Sequence, residues 1–280
     1  MPKGKKPPSK PIPTHGTKST TTAATPPGGA ASSSSRAAVV PAWPSFRPSL
    51  PVRDLAFETL IPSKVVVVRG FWPRSLCRDY VAFLRTLPLQ TTPSRPRRGE
   101  AVRVNDRFQI DDEAFAARLW RETGLRDLIL SDAESKNLWG GEVLGLNPNI
   151  RVYRYSKGQY FDCHYDDSNN LNFTIDNTNA NGNGGASMSV PVKTTWTLLL
   201  YLTSTADGCT GGETVFHLDD RPRRPPKKGD DASDENEIAV PPETGMLLLH
   251  KHGDDCLLHE GREVTGGEKW ILRTDLCVRR

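Results

Sequence analysis

No stretch of this chain approaches the ~20 consecutive apolar residues that a bilayer span needs, and no apolar core follows the early lysines. Neither a membrane span nor a secretory leader is therefore expected. Cysteine is scarce and poorly spaced for cross-linking. The five residues Cys77, Cys163, Cys209, Cys256 and Cys277 are odd in number, and no two form Cys-x-x-Cys. That argues against a disulfide framework or a four-cysteine zinc knot and suits a reducing compartment, cytoplasm or nucleus. Acid is absent before Asp54, where eight lysines and arginines stand alone. From Asp54 onward 29 basic side chains face 33 acidic ones, a difference of −4. The basic excess belongs to the N-terminal segment and not to the body, which disfavours a nucleic-acid substrate.

Residues 1–53 are dominated by Pro, Ser, Thr, Ala, Gly and Lys without an apolar period. They cannot bury enough area to offset chain ordering, so an unstructured tail is expected there, with a single domain over 54–280. Trp43 and Phe46 stand near the border, either as a staple onto the domain or as a short binding motif. Val65–Val68 reads as a buried strand. Helical support is expected over 71–130: one helix opening at Trp72-Pro73, a second over Asp111–Arg121, and an apolar stretch from Leu125 to Leu130. From Ile150 to Val278 the chain turns to strands: Ile150–Tyr155, Gln159–His164, Thr194–Thr203, Thr214–Leu218, Gly245–His250, Asp255–His259 and Lys269–Val278. Two segments, 167–192 and 219–239, interrupt them and read as surface insertions. The fold class expected is mainly β with flanking helices (α+β), a barrel or jelly roll over 150–278.

His164 and Asp166 are two residues apart, a spacing that puts both side chains on one face of a strand. An imidazole and a carboxylate suit Fe(II), Mn or Zn once a third ligand joins them, and His217, His250, His252 and His259 are available. By itself His-x-Asp is common as a surface pair. The last strand adds weight. Alternation places Lys269, Ile271, Arg273, Asp275 and Cys277 on one face, and Trp270, Leu272, Thr274, Leu276 and Val278 on the other. The second face is apolar enough to pack under an outer layer. The first is mixed, and a lysine inside a closed barrel requires an anion, which a metal-bound dicarboxylate would supply. The plain alternative is Lys269 snorkelling at the strand start and Arg273 paired with Asp275 or another acid.

Several elements occur in a distinctive order: Tyr-x-x-Gly-x-Tyr-Phe-x-x-His-x-Asp from Tyr155 to Asp166, Leu198-Leu-Leu-Tyr-Leu202, Gly211-Gly-Glu-Thr-Val-Phe216, Gly245-Met-Leu-Leu-Leu-His250, then His259 and, ten residues on, Lys269-Trp270. The ordered set resembles the 2-oxoglutarate- and Fe(II)-dependent dioxygenases, specifically the prolyl 4-hydroxylase-type catalytic domain, over about 150–278. The resemblance implies a double-stranded β-helix (jelly roll). It implies His164, Asp166 and His259 as iron ligands, and Lys269 with Tyr155 as the anchor for the distal carboxylate of 2-oxoglutarate. His252 is the reserve ligand and Arg273 the reserve anchor. His217 would be local structure or pocket rim, and His250 and His252 would face solvent or stabilise the turn that follows. The implied cofactors are Fe(II), 2-oxoglutarate as cosubstrate and O2, with ascorbate as an optional reductant. The implied reaction is hydroxylation of a C–H bond, on a prolyl residue of a protein or peptide. A small metabolite or free amino acid is the alternative substrate, and a non-enzymatic jelly-roll binding module the alternative class. An open groove lined by aromatics or arginine would favour a peptide, and a small closed pocket a metabolite.

Overall fold

The computed structural model describes residues 40–92, 101–131, 135–175, 188–219 and 236–280. The first 39 residues of the expected tail, and the cores of both expected insertions, lie outside them. Strands β1 (Glu58–Ile61) and β2 (Val65–Val68) lead into helix α1 (Arg74–Leu84). Strands β3 (Gln90–Thr91) and β4 (Asp106–Asp111) precede helices α2 (Glu113–Arg121), α3 (Leu125–Leu130) and α4 (Ser135–Trp139). Strands then dominate: β5 (Val143–Leu146), β6 (Asn149–Ser156), β7 (Phe161–His164), β8 (Asn170–Ile175), β9 (Met188–Tyr201) and β10 (Thr210–Gly211). The last are β11 (Thr214–His217), β12 (Glu237–Val240), β13 (Leu247–Lys251), β14 (His259–Gly261), β15 (Val264–Gly266) and β16 (Glu268–Arg279). Among the described residues no helix is long and apolar enough to cross a membrane.

The large sheet runs β1-β2-β13-β9-β16-β6-β4-β3, with β5 also on β16 and β8 also on β9; the small sheet runs β12-β11-β14-β7. All pairings are antiparallel, and β9 and β16 form the spine, from Ile271 opposite Tyr201 to Arg279 opposite Val192. Strand alternation sorts the side chains of the spine into two layers. Leu198, Leu200, Trp270 and Leu272 pack against Trp72, Leu76 and Tyr80 beside α1 and against Phe115 and Leu119 of α2. Leu199, Tyr201 and Ile271 face the other way and pack with Phe216 and Leu248 between the sheets. Two antiparallel sheets enclosing one core, with helices on the outside, make the double-stranded β-helix, an α+β fold dominated by antiparallel sheet.

Several local expectations shift. Pro73 precedes α1 as its N-cap, in extended conformation at φ −69° and ψ 150°. The second helix starts at Glu113, because Asp112 stands before it and accepts the Phe115 amide at 2.9 Å through Oδ1. Such a cap contributes ~1 kcal/mol. Trp43 donates Nε1–H to the other oxygen of Asp112 at 2.8 Å and stacks on Phe115 with centroids 4.1 Å apart. Phe46 joins the same aromatic group against Trp72. The segment from Val40 to Arg53 therefore packs on the helical layer, held by the two large rings of Trp43 and Phe46. Residues 170–175 and 188–192, expected within an insertion, are paired strands: Asn170–Ile175 lies opposite Lys193–Met188. The expected strand Asp255–His259 is instead a single 3-10 turn, Gly253–Asp255, and a loop that ends where β14 starts at His259. Gly253 opens that turn at φ +76°, and Lys64 and Lys251 both hold the Asp255 carboxylate, pinning the turn to the sheet edge.

Candidate metal centre

The site lies between the two sheets. Strand β7 presents His164, the residues after it bring Asp166, and β14 presents His259; His164 and His259 are direct cross-strand partners. Asp166 is fixed by its backbone as well, since its carbonyl accepts the Gly253 amide at 2.8 Å. The candidate ligand atoms of His164, Asp166 and His259 all lie within 4.8 Å of one another. His164 Nε2 is 3.8 Å from Asp166 Oδ1, and His259 Nε2 is 3.8 Å from Asp166 Oδ2.

The protonation pattern suits a metal. His164 Nδ1 donates to the Asp162 carbonyl at 2.8 Å, and His259 Nδ1 donates to the Leu257 carbonyl at 2.9 Å. Each backbone acceptor fixes the Nδ1–H tautomer and leaves the Nε2 lone pair aimed at the carboxylate. Removal from water, reinforced by the facing His259, pushes the His164 imidazole down to about 3, so it is neutral at pH 7. Burial lowers His259 as well. Burial alone would raise the Asp166 carboxyl, but Arg273, His259, His250 and His164 outweigh it and hold the carboxyl well below its ordinary range. Two neutral imidazoles and one carboxylate thus stand ready without losing a proton, the donor set of a facial Fe(II) site.

The Oδ2 atom is already heavily engaged. Arg273 Nη2 lies 2.9 Å from it, and the Thr197 hydroxyl donates to it at 2.9 Å. These contacts orient the carboxylate and leave Oδ1 as the less encumbered oxygen. Phe161 stacks on the His164 ring at 3.5 Å between centroids and shields it from solvent.

Lys269, Ile271 and Arg273 line the same cavity as the triad, together with Tyr155. Lys269 is 3% exposed, and its ammonium donates to the Gly212 carbonyl at 2.5 Å. It also lies over the rings of Tyr155 and Tyr201, at 5.6 and 5.5 Å. Burial pushes its pKa down to about 8, which an incoming carboxylate would reverse. Gly212 makes this arrangement possible. Its φ of +74° is in the left-handed region, and a Cβ there would stand 3.1 Å from Lys269 Cδ and 3.0 Å from Val264 Cγ2.

The other expected residues are sorted by the same geometry. His250 and His252 are buried and do not face solvent: His250 is on β13, an interior strand between β2 and β9, and His252, just past it, donates its amide to the Thr195 carbonyl of β9. His252 is no ligand: its Nδ1 meets the Thr197 hydroxyl at 3.0 Å and its Nε2 meets Thr194 at 2.9 Å. His250 Nε2 instead lies 3.6 Å from Asp166 Oδ2, inside the cluster. His217 is not at the pocket rim. It is on the outer face of the small sheet, since its neighbour Phe216 takes the inner face against His259. Arg273 touches the triad carboxylate itself, and therefore does not stand as a substitute for Lys269. Leu198, Leu200 and Trp270 belong to the helical layer, whereas Phe161 lines the cavity.

Sequence reading missed Thr197 and the wall formed by Tyr153 and Leu199, and it set His250, one of the available third ligands, at the turn and not in the cluster. Alternation along β9 carried the signal for Thr197: Thr195, Thr197, Leu199 and Tyr201 share a face. Beside the triad a second hollow of about 520 Å³ opens to solvent, reaching Asp166, Tyr153 and Arg273. Arg103, Arg107 and Arg151 line its outer part.

The sequence profile of the 2OG-Fe(II) oxygenase superfamily matches residues 150–274, the span that contains His164, Asp166, His259 and Lys269. Residues 150–274 are a 2OG-Fe(II) oxygenase superfamily domain. Among solved structures, this oxygenase domain and its helical lead-in are similar to the viral collagen prolyl hydroxylase vCPH from Paramecium Bursaria Chlorella virus-1 in its 2OG complex (17% identity, 77% of this chain and 96% of that chain, TM-score 0.41). They are similar also to a Pseudomonas putida prolyl-4-hydroxylase (18% identity, 78% and 93% covered, TM-score 0.48). A third similar structure is HygX from Streptomyces hygroscopicus with nickel and 2-oxoglutarate bound (14% identity, 77% and 83% covered, TM-score 0.45). No curated protein matches the chain.

Proposed function

We propose that this chain is a 2-oxoglutarate- and Fe(II)-dependent hydroxylase acting on a prolyl residue of a protein or peptide. The observation that carries the reading of a peptide substrate is the open hollow beside the triad. It is wide, solvent-facing and lined by arginine, asparagine and tyrosine, and so accommodates an extended chain with backbone carbonyls to bind. The prolyl assignment rests on the ordered motifs shared with prolyl 4-hydroxylase-type domains.

In this reading His164 Nε2, His259 Nε2 and Asp166 hold Fe(II). Bound Fe(II) and 2-oxoglutarate supply the oxidative decarboxylation, to succinate and CO2, that drives insertion of one oxygen atom of O2 into a substrate C–H bond. The protein's own residues do the rest. The carbonyls of Asp162 and Leu257 hold the two imidazoles in orientation. Arg273 and Thr197 fix the Asp166 carboxylate. Lys269 would exchange its Gly212 carbonyl partner for the distal carboxylate of 2-oxoglutarate, and Tyr155 beside it, held neutral by burial, would be a phenolic donor. Phe161, Leu199 and Ile271 keep the cavity apolar around that salt bridge.

The test is succinate release by the full chain with Fe(II), 2-oxoglutarate and ascorbate. A panel of proline-containing peptides is set against free proline and other small hydroxyl acceptors. Peptides should stimulate succinate release and gain one oxygen atom at proline by fragment mass spectrometry. Coupled turnover with small molecules alone would reject the peptide reading.

A further inference from the structure

The small sheet carries a second group of metal-ligand side chains next to the triad. Each of its members follows or precedes an inward-facing residue: Cys163 stands before His164, Glu260 after His259, and His217 after Phe216. The three lie on adjacent strands β7, β14 and β11; the β7–β14 register shifts between His259 and Gly261, and Glu260 also borders the triad cavity. Glu237 of β12 completes the row, as the direct cross-strand partner of His217.

We propose that Cys163, His217 and Glu260 bind a Zn(II) ion, with Glu237 positioning His217. The proposal does not depend on the function assigned to the triad. The three candidate ligand atoms lie within 4.8 Å of one another. His217 Nε2 is 3.6 Å from Cys163 Sγ and 3.5 Å from a Glu260 carboxylate oxygen. Tetrahedral zinc with Zn–N, Zn–S and Zn–O bonds of about 2.0, 2.3 and 2.0 Å sets its donors roughly 3.3–3.6 Å apart. The observed edges match that spacing. The second ring nitrogen of His217 faces a Glu237 carboxylate oxygen at 3.7 Å, longer than a hydrogen bond, and the carboxylate would have to close on it to fix the tautomer of a ligating imidazole.

Charge agrees with the geometry. Arg262 pairs with Glu237 and lies 3.9 Å from Glu260. On binding, the Cys163 thiol would release its proton to solvent, and Zn(II) would stand among Cys163, Glu260 and His217 with Arg262 beside the two carboxylates. Thiolate and imidazole donors select zinc over magnesium or calcium. Three protein donors leave one tetrahedral position for water. The ion would clamp three strands of the sheet that presents both triad histidines.

The probe is Co(II), which reports a thiolate ligand through a near-ultraviolet charge-transfer band that a site of two histidines and a carboxylate cannot give. Titration of the full chain should show two equivalents bound, one of them carrying the thiolate band, and Zn(II) should displace that band. Cys163→Ser should abolish the band and keep one equivalent. His164→Ala should keep the band. Glu237→Gln should weaken the thiolate-bearing site about 10–100-fold. Absence of a thiolate band in the wild-type protein overturns the proposal. So does a band that survives Cys163→Ser, which would assign it to Cys256 beside His259. Should Cys163→Ser fold poorly, by circular dichroism, Glu260→Gln serves in its place. It must weaken the thiolate-bearing site at least tenfold, and unchanged affinity overturns the proposal.

Discussion

Replacing Arg273 with leucine isolates the electrostatics of the triad. The guanidinium lies 2.9 Å from Asp166 Oδ2, and both residues are only 9% exposed. Arg273 also approaches Asp275 at 3.6 Å, but Asp275 keeps Arg151 and Asn147, each at 3.0 Å. The loss therefore falls mainly on Asp166, which would retain the single hydroxyl of Thr197 and the facing imidazoles. Removing one partner of a buried pair costs about 3–5 kcal/mol, a large share of the 5–15 kcal/mol that typically holds a domain folded. The pH dependence has a definite sign. In the wild-type protein the folded Asp166 pKa is depressed, so its contribution is present above the unfolded value of about 3.9 and is lost as pH falls through the folded value. In Arg273→Leu burial dominates, and the folded carboxyl rises above its unfolded value. The variant then loses stability relative to the wild type as pH climbs from about 4 to 7. A divalent metal supplies the missing positive charge, so Mn(II) should narrow the deficit. Urea denaturation of metal-free and Mn(II)-loaded protein across pH 4.5–7 reads all three effects. A deficit below about 1 kcal/mol at pH 7, or one indifferent to both pH and Mn(II), would refute this account of the site.

Lys269→Ala should raise the KM for 2-oxoglutarate at least tenfold while Mn(II) affinity stays near wild type, because the ammonium reaches Gly212 and the two tyrosines but none of the triad; an unchanged KM would remove it as the anchor. The affinity of the protein for 2-oxoglutarate should fall as pH rises through about 8, where the buried ammonium of the free site loses its proton, and isothermal titration from pH 6.5 to 9.5 would detect a flat profile if Lys269 were not involved. Trp43→Ala should lower stability by about 2 kcal/mol, since it removes the stack on Phe115 and the donor to the α2 cap, and thermal unfolding that matches the wild type would show that the Val40–Arg53 strap is not part of the domain's packing.

What could be read from residues alone was whatever obeyed alternation against an apolar core. The two faces of β16 separated as expected, with Trp270 and Leu272 under the helices and Lys269 and Arg273 in the cavity. The pairing of His164 with His259 could not be derived from spacing, because ninety-four residues intervene, and the motif order alone selected His259 from the other histidines. Strand β4 was missed because its outward side chains, Arg107 and Gln109, line a wet hollow and so break the apolar rhythm. Strand β8 was missed because Asn170 and Asn172 resemble turn chemistry, while the length of β9 is what recruits them into the sheet. Burial of His250 and His252 depends on β13 lying between β2 and β9, a neighbourhood that no local pattern records.

The account as a whole stands on His164, Asp166 and His259 acting together as one metal centre that uses 2-oxoglutarate. The most direct measurement is succinate production from 2-oxoglutarate by the Fe(II)-loaded chain, compared with His164→Ala and His259→Ala variants whose folding is verified by circular dichroism. Turnover that requires Fe(II) and O2 and disappears in both variants is the predicted result. Turnover that survives either substitution, or no turnover in an Fe(II)-loaded wild-type protein supplied with proline peptides and small-molecule acceptors, would contradict it.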